Sequence, residues 1–168
     1  EIPKHDDDLS KFSLNDGQFE FDYVESGTGY IVGRSRSSFT LLEKKGINLP
    51  NSIYDENKQF DIYTHFLQNI IDMDIDGLGL SVVQTGELVS KIKRIAPKLV
   101  LVAKVENSEG LLNCIDIVQH SDAIMIDRGD LAAEIGFINL FHAINFISDQ
   151  TKAHGKPLIM ATENLETM

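Results

Sequence analysis

Residues 98–136 read KLVLVAKVENSEGLLNCIDIVQHSDAIMIDRGDLAAEIG. An apolar run at 99–103 leads into Lys104 and Glu106, an amphipathic segment follows, and a second apolar run at 123–126 leads into Arg128-Gly129-Asp130. Strand, helix and strand in that order form a parallel βαβ unit, because parallel strands need a long crossover where antiparallel ones need only a hairpin. Side chains two apart along a strand share a face, so Lys104 and Glu106 point the same way. The pattern sets an ammonium and a carboxylate side by side at the carboxyl end of one strand, with Asp130 at the corresponding end of the next.

Two carboxylates one strand spacing (~5 Å) apart are suited to a hard divalent cation, and Mg²⁺ characteristically takes one or two carboxylates plus substrate oxygens. A lysine beside them offers a compact positive charge for a phosphoryl group or an enolate oxygen. A surface ion pair at a strand end is the other reading of the same spacing.

Outward from this unit the chain continues to alternate. Residues 60–71 carry apolar positions at helical spacing, 78–83 form a short strand candidate, and 87–95 place Leu88, Ile92 and Ile95 on one helical face before Ala96-Pro97 stops them. After the central unit, 137–154 read as a long amphipathic helix ended by Gly155, and 157–161 as a strand. Four strands, near Leu78, Leu99, Ala123 and Leu158, therefore alternate with helices, which is the α/β class.

Before Pro50 the pattern differs. Phe19–Tyr23, Tyr30–Val32 and Phe39–Leu41 are short alternating runs punctuated by Asn15-Asp16-Gly17 and Gly27-Thr28-Gly29, the signature of a small antiparallel β unit. Arg34 and Arg36 alternate on what reads as an edge strand, where solvated bases outnumber phosphate ligands. Residues 1–11, with Asp6-Asp7-Asp8, read as a solvated terminus. The division expected is a partial small β unit at 1–45 and an α/β unit at 46–168.

With 168 residues, 42% hydrophobic and 24% charged, the chain can bury a real core. A formal net charge of −11 sets aside nucleic acid and anionic membranes as partners. The single cysteine, Cys114, leaves no internal disulfide, suits a reducing cytosol and reads as a small core residue. No apolar run approaches 18 residues and the amino terminus lacks a signal pattern, so no membrane span or export is expected. His65, His120, His142 and His154 lie on or at the ends of helices without ligand spacing.

AKVENSEG, SDAIMIDRGDLAAEIG and GKPLIMATENLETM, in this order, together with KKGINLP at 44–50, resemble pyruvate kinase. The resemblance runs from about Leu14 to Met168. It implies a partial (β/α)8 TIM barrel of about four βα units, the fourth to seventh strands, preceded by part of a small lid-like β domain. A full barrel needs ~200 residues or more. No stretch resembles the family's first two strands, which bear nucleotide-phosphate and monovalent-cation residues, nor its eighth. The open edges of such a half barrel admit closure as a homo-oligomer or by a partner that supplies the missing strands.

By resemblance, Lys104 stabilises the enolate and the moving phosphoryl group, and Glu106 and Asp130 hold Mg²⁺ or Mn²⁺. Gly129, with the peptides around Arg128 and Asp130, receives the substrate carboxylate, Thr162 lies near the proton-transfer position, and Ser81 ends the preceding strand. Ser81 reads first as a helix cap, Thr162 equally as a cap, and Arg128 also as a salt-bridging scaffold residue. K⁺ is expected for the family, with no site visible in this chain.

The departures are specific. Asp127 stands where the family has alanine, Ala132 where it has glycine, and Val82 where it has phenylalanine, while Glu163 and Asn164 replace glutamine and methionine. A third carboxylate at Asp127 favours a cation and repels an anionic substrate. The resemblance thus implies cytoplasmic, glycolytic phosphoryl transfer from phosphoenolpyruvate to ADP, giving pyruvate and ATP, incomplete in these residues alone. Two alternatives stand beside it: a catalytically inactive binding or assembly module, and a metal-dependent lyase or aldolase of the same superfamily.

Overall fold

Strands β5 (Gly77–Leu80), β6 (Val100–Val105), β7 (Ala123–Asp127) and β8 (Leu158–Ala161) form a parallel sheet whose spatial order repeats their order in the chain. That ordering is the one a (β/α) barrel uses; a doubly wound sheet reverses direction partway. The computed structural model describes residues 9–15, 17–43, 45–70 and 73–162. It has the mixed α/β architecture of a partial barrel preceded by a small antiparallel sheet. The acidic triplet Asp6-Asp7-Asp8, Asp16, Lys44, Glu163 and Asn164 lie outside the described residues.

Alternation along each parallel strand separates two faces. Leu101, Ala103 and Val105 of β6 and Ile124 and Ile126 of β7 are fully buried, packed in one cluster with Val89 and Ile92 of α2 (Gly86–Ile95), Ile117 and Val118 of α4 (Cys114–His120) and Ile147 of α6 (Phe137–Ala153). Helix α1 (Glu56–Ile70) adds Leu67. Val102, Lys104, Met125 and Asp127 therefore lie on the opposite face, and the register pairs Lys104 with Met125 and Asp127 with Ala161.

Several segments differ from the sequence-based expectation. The crossover between β6 and β7 is two helices, α3 (Ser108–Leu112) and α4, joined at Asn113, whose amide donates to the Gln84 carbonyl and the Glu109 carboxylate at 2.9 Å each. Helix α5 (Arg128–Ile135) is an additional element, unforeseen because RGDLAAEI is too short to display an apolar stripe. Phe39–Leu41 is not a strand; Phe39 stacks on Phe19 and meets Phe21 edge-on, with ring centroids 4.4 and 5.4 Å apart.

The small sheet has the order β3-β2-β1-β4, from β1 (Lys11–Leu14), β2 (Phe19–Gly27), β3 (Tyr30–Ser35) and β4 (Ile47–Asn48). Strand β1 begins at the end of the stretch expected to be a solvated terminus, residues 1–11, and Leu9 of that stretch is buried in one cluster with Phe12, which stacks on Phe21 at 5.0 Å. Arg36 is ion-paired: its Nε donates to Asp22 at 3.1 Å and its guanidinium lies 3.5 Å from Glu20. The β1–β2 turn abuts α5, since a Cβ on Gly17 (φ 85°) would sit 3.1 Å from that of Ala133.

Cys114 is fully buried, as expected of a small core residue, and burial pushes its thiol up to about 11. At pH 8 almost no thiolate exists, so alkylation in native buffer is expected to run about 100-fold slower than in urea, as a labelling time course followed by mass spectrometry would read. Equal rates would place the thiol outside the core.

Candidate functional site

The carboxyl ends of β6 and β7 carry the charged cluster. Lys104 closes an ion pair with Glu106 Oε1, and its Nζ also lies 3.3 Å from Asp127 Oδ2. One carboxylate oxygen from each of Glu106, Asp127 and Asp130 falls within 4.8 Å of the others. The side chains of Glu106 and Asp127 are 4% and 13% exposed, so these charges are sheltered from water. Burial works against the Lys104 ammonium, but Glu106 and Asp127 outweigh it and hold its pKa above the ordinary lysine value.

Glu106 is shared between two tasks. Its Oε2 accepts the Val82 N–H at 2.6 Å, while Oε1 meets the Lys104 ammonium and has no aligned hydrogen-bond donor among the described residues. Val82 sits at φ 55°, a left-handed conformation that is costly for a β-branched residue, and its carbonyl accepts from Gln59 at 3.1 Å. The departure noted at Val82 is thus tied through its backbone to the neighbouring strand end.

Thr162, just past β8, has φ 55° as well. Its hydroxyl donates to Asp127 Oδ1 at 2.7 Å and accepts the Gly129 N–H at 3.1 Å. Among the described residues Arg128 makes no salt bridge: its Nε and Nη2 donate to the Thr162 carbonyl at 3.1 and 2.7 Å, fixing that strained turn. Ser81 does not cap α2; Thr85 does, accepting the Leu88 N–H at 3.2 Å, while the Ser81 carbonyl accepts from Tyr63.

Beside the cluster lies a cleft of about 150 Å³ whose lining includes Leu49, Ser52, Tyr54, Val82, Glu106 and Asp130. Burial raises the Tyr54 phenol, and the carboxylates of Glu134, Glu106 and Asp130 in the cleft lining add to that rise. Two residues unremarked in the sequence secure its rim. Glu134 Oε1 accepts from the Asn51 N–H at 2.9 Å and the Ser108 N–H at 3.3 Å, and Gln84 accepts from the Tyr54 N–H and donates to the Ser52 carbonyl. Glu134 is four residues beyond Asp130, a helical spacing that would have exposed it had α5 been recognised.

Lys104, Glu106, Asp127 and Asp130 thus come together, with Gly129 and Thr162 joined to them through Asp127. His120 and His154 stand apart: their Nδ1 atoms face the carbonyls of Asp116 and Gln150, respectively. An all-oxygen donor set from Glu106, Asp127 and Asp130, with one carboxylate oxygen of each within 4.8 Å of the others, fits a hard divalent cation.

Residues 7–168 match the profile of the pyruvate kinase barrel domain. The chain is 34% identical over 164 residues to a cytosolic isozyme of pyruvate kinase from Nicotiana tabacum, covering 91% of this chain and 32% of that protein. It is 35% identical over 164 residues to pyruvate kinase from Eimeria tenella (92% and 30%), and 30% identical over 149 residues to that from Dictyostelium discoideum (86% and 29%). The chain spans about a third of the length of these curated relatives.

Proposed function

The chain belongs to the pyruvate kinase family, and on that premise we propose that it carries the phosphoenolpyruvate half of a phosphoryl-transfer site, the products being pyruvate and ATP once ADP accepts the phosphoryl group. The observation supporting this reading is the convergence of one ammonium and three carboxylates at the carboxyl ends of two adjacent parallel strands, the edge where barrel enzymes carry their chemistry.

In this reading the Lys104 charge balances the enolate oxygen left when the phosphorus–oxygen bond breaks. Phosphoryl transfer is chiefly a matter of position and charge, and a sheltered ammonium meets both needs. Gly129 offers its N–H to the substrate carboxylate, with Arg128 holding the adjoining turn. Thr162 lies on the side where carbon gains the proton that converts enolate to pyruvate. Glu106 and Asp130, joined by Asp127, would hold Mg²⁺ or Mn²⁺, which when bound neutralises phosphoryl oxygens. The family's K⁺ and the nucleotide side belong to parts this chain does not display, so completion by further chain or by a second copy is part of the proposal.

In this reading the small sheet is a lid over the cleft, supported by Ile47 and Asn48 of β4 in the cleft lining, and β4 carries that sheet past the expected division at residues 45–46. A cytoplasmic setting is supported by the likeness to the cytosolic isozyme from Nicotiana tabacum. Among the described residues no helix is long and apolar enough to cross a membrane. One observation favours the binding-module alternative: Asp127 already engages both Lys104 and Thr162.

Calorimetric titration of the chain with Mn²⁺, with and without phosphoenolpyruvate, tests the reading. Binding should be lost, by about 100-fold or more in affinity, in Glu106→Gln combined with Asp130→Asn. Unchanged binding in the double variant overturns the assignment of these ligands, and no binding by the parent chain overturns the half-site itself.

A further inference from the structure

Three donors of the cluster converge, directly or in relay, on one internal carboxylate. Asp127 Oδ2 faces the Lys104 ammonium at 3.3 Å, Asp127 Oδ1 accepts the Thr162 hydroxyl at 2.7 Å, and that hydroxyl accepts the Gly129 N–H at 3.1 Å. These are the groups that the function proposed above assigns to an anionic substrate. A ligand that takes the Thr162 hydroxyl breaks its bond to Asp127, and one that draws the Lys104 ammonium away weakens the pairing at Asp127 Oδ2; a carboxylate only 13% exposed has little water to replace what it loses.

Formal charge points the same way. The Lys104 ammonium already faces two carboxylates, Glu106 and Asp127, so it has no surplus positive charge for a multiply charged anion.

We propose that Asp127 is a resident anion that competes with anionic ligands for Lys104 and Thr162, and so tunes the site away from multiply charged phosphorylated acids toward singly charged oxo-acids. The inference rests on the substrate site proposed above and identifies the residue that sets its selectivity. Asp127 acts here as a specificity determinant, and its effect is a difference between two ligands.

The test titrates the chain, in buffer containing EDTA, with phosphoenolpyruvate and with pyruvate. Asp127→Asn removes the charge and keeps an oxygen to accept the Thr162 hydroxyl; Asp127→Ala removes both. The expected result is that each variant gains about tenfold or more in affinity for phosphoenolpyruvate, with a much smaller gain for pyruvate, and that adding Lys104→Met erases the difference. Equal gains for both ligands, or no gain in Asp127→Asn with its native circular dichroism intact, overturn the proposal. This outcome is separate from failure of the metal half-site, which is read by Mn²⁺ titration of Glu106→Gln with Asp130→Asn.

Discussion

Lys104→Met is expected to lower the unfolding free energy by about 3 kcal/mol, because removing one partner of a sheltered ion pair strands the other. The stranded group is Glu106, whose side chain is 4% exposed and whose Oε1 has no aligned hydrogen-bond donor to fall back on. Asp127 and Asp130 then share the site with Glu106 and no lysine, so like-charge repulsion adds to the loss. Combining Lys104→Met with Glu106→Gln should restore most of the stability, since a glutamine oxygen can still accept the Val82 N–H at no charge cost. Urea unfolding of the single and double variants measures this, and a double variant no more stable than the single one would contradict it.

The pH dependence has a definite sign. The Lys104 pKa is raised in the folded chain, so its contribution is complete below the ordinary lysine value and is lost as pH climbs through the raised one. The parent chain should therefore lose this increment above pH ~10.4, while Lys104→Met lacks that component of the alkaline fall. Identical alkaline profiles would mean that the ion pair contributes nothing to folding.

Leu101→Ala should be comparably damaging for a different reason. Leu101 is fully buried in the second strand of the parallel sheet, inside the cluster formed with α2, α4 and α6. Truncation removes apolar contact and leaves a cavity that the strand ladder cannot close, costing about 3 kcal/mol or more. In a chain of this size that lowers Tm by about 6–12 °C. Val100→Ala, next in sequence but on a residue 47% exposed, is the matched control and should change stability by less than about 1 kcal/mol. Equal losses at both positions would show that β6 does not alternate as described.

What was legible in the chain follows periodicities of two and nearly four. Lys104 and Glu106 share a strand face by spacing alone, and their ion pair is the local consequence. The βα alternation after Pro50, and the burial of Cys114, Ile92 and Leu88, likewise follow from where apolar residues recur. The short elements were not legible. Strand β1 and helix α5 are too brief for a pattern, and their existence depends on partners: β2 and β4 for the strand, Thr162 and Asn51 for the helix.

Asp127 marks the boundary between the two kinds of knowledge. Residue order alone puts a carboxylate at the end of a strand beside a lysine-bearing one, and the match over residues 7–168 carries family membership. Only the tertiary structure decided what that carboxylate does. AIMID is apolar up to its last residue, so no alternation reveals which face Asp127 takes; the register with β6 and β8 does, by placing it on the lysine side and opposite Ala161. Thr162, thirty-five residues away in the chain, then reaches it through a turn held by Arg128. Contacts across such separations are set by strand pairing and backbone conformation, which no local window of sequence contains.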